Sequence, residues 1–117
     1  MCIICENRGT ELGMSKLNEL SYIDCKQCKN IKVIPSLRNL RKLNCSNCTS
    51  LTIIEVSKNL TKLDCGRCML LKKIPLCKKL TILECYNCTL IQKIPILNHL
   101  TELDCSNCKL IQEIPMQ

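Results

Sequence analysis

The stretch LTKLDCGRCMLLKKIP, residues 60–75, decides how the chain folds. Leu63, Asp64 and Cys65 alternate apolar, charged, apolar, the period-two signature of a short strand with Leu63 and Cys65 inward and Asp64 outward. Pro75 biases Ile74 toward an extended conformation. Eleven residues lie between Cys68 and Leu80, too few for a strand return that includes a proper helix, so an extended or brief 3₁₀ path is expected.

The same unit recurs on both sides at a constant interval of twenty. Cys25, Cys45, Cys65, Cys85 and Cys105 are each followed three positions later by Cys28, Cys48, Cys68, Cys88 or Cys108. Leu20, Leu40, Leu60, Leu80 and Leu100 form one apolar column, and Ile23, Leu43, Leu63, Leu83 and Leu103 another. Ile31, Leu51, Leu71, Ile91 and Ile111 form a third, and Ile34, Ile54, Ile74, Ile94 and Ile114 a fourth. Pro35, Pro75, Pro95 and Pro115 follow that last column, and Glu55 is its one break. A single coil of this length cannot bury its own apolar side. Successive coils must therefore stack, with their strands parallel and about 4.8 Å apart. Six inward positions in each of five copies then fill one continuous core, each side chain worth roughly 1–3 kcal/mol when buried.

The unit L-x-x-[LI]-x-C-x-x-C-x-x-[LI]-x-x-I-P resembles the leucine-rich repeat, with its L-x-x-L-x-L-x-x-N/C-x-L pattern and period of about 20–29 residues. The resemblance covers residues 20–117 in five in-register copies. Its length and I-P ending look most like the 20-residue class of bacterial effectors. The doubled cysteine is similar to repeat proteins of large DNA viruses that infect amoebae. The fold implied is a leucine-rich-repeat solenoid: short parallel β-strands on one face, extended or 3₁₀ returns on the other, little regular helix. Cysteine stands at the family's last strand leucine and at its asparagine, so thiols are expected to replace the usual asparagine ladder.

Residues 1–19 read as a degenerate N-terminal capping repeat: Ile3 and Cys5 lie twenty before Ile23 and Cys25, while Arg8 and Glu11 stand where Cys and Ile belong. At the other end no polar cap follows the fifth copy. Leu100, Leu103, Cys105, Ile111 and Ile114 are expected to leave a flank open to a homodimer or another partner.

Thirteen cysteines suggest a disulfide scaffold or a zinc protein before the repeat is considered. The odd count and the lack of a leading signal or apolar span favour an intracellular, reducing setting with no membrane role. The spacing from one pair to the next, as from Cys48 to Cys65, also fits a zinc pattern, C-x₂-C-x₁₅₋₂₀-C-x₂-C. Zinc needs four thiolates converging at about 2.3 Å from one ion, whereas stacked coils place sulfurs in rows. The favoured reading is therefore reduced packing thiols with no metal or cofactor, a zinc-binding cysteine-pair module being the alternative. The Cys2–Cys5 pair is offset from the register of the other pairs and is the site most open to accidental metal binding or oxidation. Cys77 stands where Leu37 and Leu97 stand in other copies and reads as another packing thiol. His99, the one histidine, lies in a return loop far from the pairs, so thiol catalysis lacks its base.

A net charge of +7 and a pI near 8.8 raise the question of nucleic acid. Lys32, Arg38, Lys58, Lys72, Lys73, Lys78, Lys79 and Lys93 fall on the return half, with no aromatic among them to stack on bases. Nucleic acid is therefore the lesser alternative. Asp24, Asn44, Asp64, Glu84 and Asp104 form an outward column whose stacked carboxylates repel unless basic neighbours such as Lys26 compensate. Leucine-rich-repeat proteins commonly present this strand face to another protein. The resemblance thus implies a non-enzymatic interaction scaffold whose contact residues are Tyr22, Asp24, Lys42, Lys62, Asp64, Arg67, Ile82, Glu84, Tyr86, Glu102 and Asp104.

Overall fold

Side chains twenty apart in the chain do stand one over another. The computed structural model describes residues 2–115. In chain order its elements are α1 (Ile3–Asn7), α2 (Glu11–Asn18), β1 (Tyr22–Asp24), β2 (Val33–Ile34), β3 (Lys42–Asn44), β4 (Ile53–Ile54), β5 (Lys62–Asp64), β6 (Ile82–Glu84) and β7 (Glu102–Asp104). The main sheet runs β1-β3-β5-β6-β7, and its neighbours are parallel. The register sets Ile23 beside Leu43, Leu43 beside Leu63, Leu63 beside Leu83 and Leu83 beside Leu103. The result is a leucine-rich-repeat-type solenoid, a slab of 42 × 27 × 15 Å.

The ladder continues past each strand. The amides of Cys25, Cys45, Cys65 and Cys85 donate at 2.7–2.8 Å to the carbonyls of Asn44, Asp64, Glu84 and Asp104 in the next coil. The hydroxyls of Thr61, Thr81 and Thr101 donate to the carbonyls of Arg41, Thr61 and Thr81 in the coil before, at 3.0–3.1 Å. On the return side each coil closes with a tight i→i+3 turn, Leu40 on Leu37, Leu60 on Ser57, Leu80 on Cys77 and Leu100 on Leu97. This is the brief 3₁₀-like path that the short connection demands.

A second, two-stranded sheet pairs β2 with β4. It exists because Glu55 breaks the proline column: its amide donates to the Ile34 carbonyl at 2.9 Å. Pro75 has no N–H to make the equivalent bond to Ile54, so the sheet ends there.

The core is aliphatic and sulfurous. Leu60, Leu63, Cys65, Cys68 and Leu71 are buried, as are their counterparts in the coils on either side, and Cys77 packs with them. In the fifth coil Leu100, Leu103, Cys105 and Ile111 are only half-buried, and Ile114 is exposed.

The start of the chain departs from the coil geometry that the alignment of Ile3 and Cys5 suggests. Two helices stand there, and Ile4 and Leu17, not Ile3, enter the core. The cause is local. Thr10 caps α2, its Oγ1 accepting the Gly13 amide at 2.9 Å, and Glu11 places an acid in the first turn. At Gly13 an added Cβ would overlap the Asn7 backbone, so glycine is what lets the two helices meet.

Candidate interaction surface

The strand face carries two straight rows. Tyr22, Lys42, Lys62, Ile82 and Glu102 stack in register, and beside them stand Asp24, Asn44, Asp64, Glu84 and Asp104. The second row has a structural task that its charge alone does not reveal. Oδ1 of Asp24, Asn44, Asp64 and Asp104 accepts the amide two residues on, from Lys26, Ser46, Gly66 and Ser106, at 3.0–3.1 Å. These Asx turns start the bend out of each strand. Hydrogen bonds from the Ser106 hydroxyl and amide hold the Asp104 carboxyl below its ordinary value. Lys26 lies 3.6 Å from Asp24, the compensation expected of a basic neighbour.

The bend then passes through the left-handed region at Gln27, Asn47, Arg67, Asn87 and Asn107. Asparagine tolerates this conformation; arginine is disfavoured in it. Arg67, at φ 58°, therefore sits under strain and presents an exposed guanidinium. Beside it the Tyr86 ring lies flat on Gly66, where any Cβ would overlap the ring. Burial, and then the Asp64 and Glu84 carboxylates, push the Tyr86 hydroxyl above its ordinary value, while Arg67 opposes them.

Tyr22, Lys42, Lys62 and Asp64 surround one shallow hollow. Asp64, Arg67, Glu84 and Asp104 act electrostatically on Tyr86 in the coil that follows. Tyr22 is 55% exposed and Ile82 is half-buried, while Glu102 is exposed on the last strand. The face is thus basic toward its first coils and acidic toward its last.

Exposed apolar side chains lie elsewhere, and the sequence reading missed them. Val56, Leu76 and Ile96 are exposed after the proline column, and Leu70 and Leu110 are exposed after the second cysteine of their coils. Lys72, Lys73 and Lys93 share a hollow with Leu90 and Leu110. The signal was present: Val56, Leu76 and Ile96 stand twenty apart, next to the proline column.

The inward thiols replace the asparagine ladder as expected. Cys48, Cys68, Cys88 and Cys108 each donate S–H to the carbonyl of Cys25, Cys45, Cys65 or Cys85 one coil back, at 2.9–3.1 Å. Burial pushes Cys48 up to about 12 and Cys25 and Cys85 higher still. A hydrogen bond with Cys68, and then burial, raises Cys45 well above its ordinary value. Where no metal coordinates them, protonated thiols of this kind are packing groups, not nucleophiles. At the first coil the pattern changes. Cys2, Cys5 and Cys28 bring their sulfurs within 4.8 Å of one another. Burial acts to raise Cys28, but amides of Cys2, Asn30 and Ile31 outweigh it and lower the thiol to about 7.

The sequence model of the Leucine Rich Repeat family matches residues 99–117, the last copy of the unit. Comparison with curated proteins and with solved structures yields no match. Among the described residues no helix is long and apolar enough to cross a membrane.

Proposed function

We propose that the chain is a non-enzymatic protein-interaction scaffold that presents its strand face to a protein partner. The observation that supports this most is the register of Tyr22, Lys42, Lys62, Ile82 and Glu102. A rigid sheet holds a tyrosine, two lysines, an isoleucine and a glutamate in one straight row, so their ordering entropy is already met before a partner arrives. Arg67 and the ring of Tyr86 extend that row with residue types that dominate binding energy. A leucine-rich-repeat solenoid is a fold commonly used to bind proteins, and this face gives that general expectation a location. Its division into basic and acidic ends fits a partner with the opposite order of charge. Thirteen cysteines, an odd number, suit a reducing compartment, and an intracellular setting is part of this proposal.

The test is capture of cellular partners by the full chain under reducing conditions, with two charge-reversal variants compared. Lys42→Glu with Lys62→Glu alters the strand face; Lys72→Glu with Lys93→Glu alters the return side. Loss of the captured protein with the first pair alone supports the reading. Equal loss with both pairs, or capture of nucleic acid that vanishes steeply with salt, overturns it.

A further inference from the structure

We propose that Cys2, Cys5, Cys25 and Cys28 form a structural zinc site that clamps α1 to the first coil. The thiol ladder explains why such a site arises at this end. From the second coil onward, each second cysteine spends its S–H on a carbonyl of the coil before, beginning with Cys48 on Cys25. Cys28 belongs to the first coil and has no such carbonyl behind it. Its sulfur faces α1 instead, 3.8 Å from that of Cys5, which lies 3.8 Å from that of Cys2. A tetrahedron with metal–sulfur bonds of about 2.3 Å sets neighbouring sulfurs about 3.8 Å apart. Two of the three edges among these sulfurs are therefore already at the length the ion needs, and the third lies within 4.8 Å. Cys25, which lines one hollow with Cys2 and Cys28, is the further thiol that closes on the ion as the fourth.

The chain order agrees. Cys2-x₂-Cys5 and Cys25-x₂-Cys28 are joined by the segment from Glu6 to Asp24, whose length falls inside the spacing of two-knuckle zinc sites. The row geometry that argues against zinc between coils does not apply here, because one pair comes from a helix and the other from a coil. α1 also needs an external hold. It has five residues and no side-chain cap at Cys2, too short to persist alone. Zinc binding displaces four thiol protons to solvent and leaves a tetrathiolate centre of charge −2. Asp24, Lys26 and Lys29 line the same hollow as Cys2, Cys25 and Cys28; Lys26 is paired with Asp24, and Lys29 offsets part of that charge. Four thiolates and no oxygen ligand select zinc over magnesium or calcium.

The experiment loads the full-length, fully reduced protein with Zn²⁺ and with Co²⁺. The expected result is one zinc per chain by elemental analysis and, with cobalt, the thiolate charge-transfer band and strong visible bands of a tetrahedral sulfur site. Cys5→Ser and Cys28→Ser should each weaken cobalt binding by more than the ~10–100-fold cost of disturbing outer-sphere partners. Cys105→Ser, remote from the cluster, should bind as the parent does. Circular dichroism checks folding, and Cys5 is the safer variant because it is only half-buried. Absence of the charge-transfer band in the parent, parent-like binding by folded Cys5→Ser, or a Cys2–Cys5 disulfide that persists without metal would each overturn the proposal.

Discussion

The amide of Glu55 donates to the carbonyl of Ile34 in the neighbouring coil at 2.9 Å, and its carboxylate accepts the Ser36 amide at 3.0 Å. The one residue that departs from the proline column thus adds two hydrogen bonds to those that Thr52, Ile53, Val56 and Ser57 make between the return sides of the first two coils. Glu55→Pro, which restores the consensus, should destabilise the protein by about 1–3 kcal/mol, whereas Glu55→Gln keeps both bonds and should cost little. Chemical denaturation of the two variants checks the order; a stabilised proline variant would contradict it.

Cys68 is fully buried and its thiol donates to the Cys45 carbonyl at 3.1 Å. Cys68→Ala leaves that carbonyl without its donor and should cost about 1–3 kcal/mol. Cys68→Ser supplies a hydroxyl at the same place and should be the more stable of the two. The reverse order in thermal melts would show that sulfur fills volume there and bonds nothing.

Leu63 and Asp64 are adjacent yet face opposite ways, the first fully buried and the second half-exposed. Leu63→Asp buries a charge in the middle of the stack, and its cost should exceed the ~2–5 kcal/mol of a leucine-to-alanine truncation. Asp64→Ala removes the acceptor of the Gly66 amide and should cost about 1 kcal/mol, with Asp64→Asn close to the parent. Urea titrations of the three separate these magnitudes.

The buried thiols make stability depend on alkaline pH. Cys48 titrates near 9.0 when unfolded and is pushed up to about 12 by burial, so the folded state holds a proton that the unfolded state loses between those values. Its contribution is complete below pH 9 and disappears as pH rises toward 12, at up to ~1.4 kcal/mol per pH unit. Cys45 acts in the same direction, while the hydrogen bond that raises Cys65 lowers Cys88, so that pair partly offsets itself. Melting temperature should therefore hold level through neutral pH and fall steeply above about 9, and thiolate absorbance from these thiols should appear only as the native circular dichroism signal is lost.

Much of this architecture was legible because a period of twenty fixes which side chains face one another once coils stack. The inward columns, the strands at Leu43 or Leu83 and the thiol ladder all follow from that single constraint. The helices at the start were not legible by the same rule. Ile3 and Cys5 happen to align with Ile23 and Cys25, but the Thr10 cap and Gly13 impose a different local geometry. The meeting of Cys2, Cys5 and Cys28 depends on how those helices dock, which no repeat alignment encodes. On the strand face, the outward direction of Asp24, Asp64 and Asp104 could be read, but their turn-forming bonds could not, because an Asx turn depends on the backbone path after the strand.

Among the strands of the main sheet, each pairs only with those immediately before and after it. Evolution can therefore edit this molecule by whole modules. Duplicating one repeat unit would lengthen the exposed row by about 4.8 Å and add one more surface side chain to each column, while its neighbours keep their own contacts unchanged. The reach of the face is set by copy number, and its chemistry by the few outward letters each copy is free to vary.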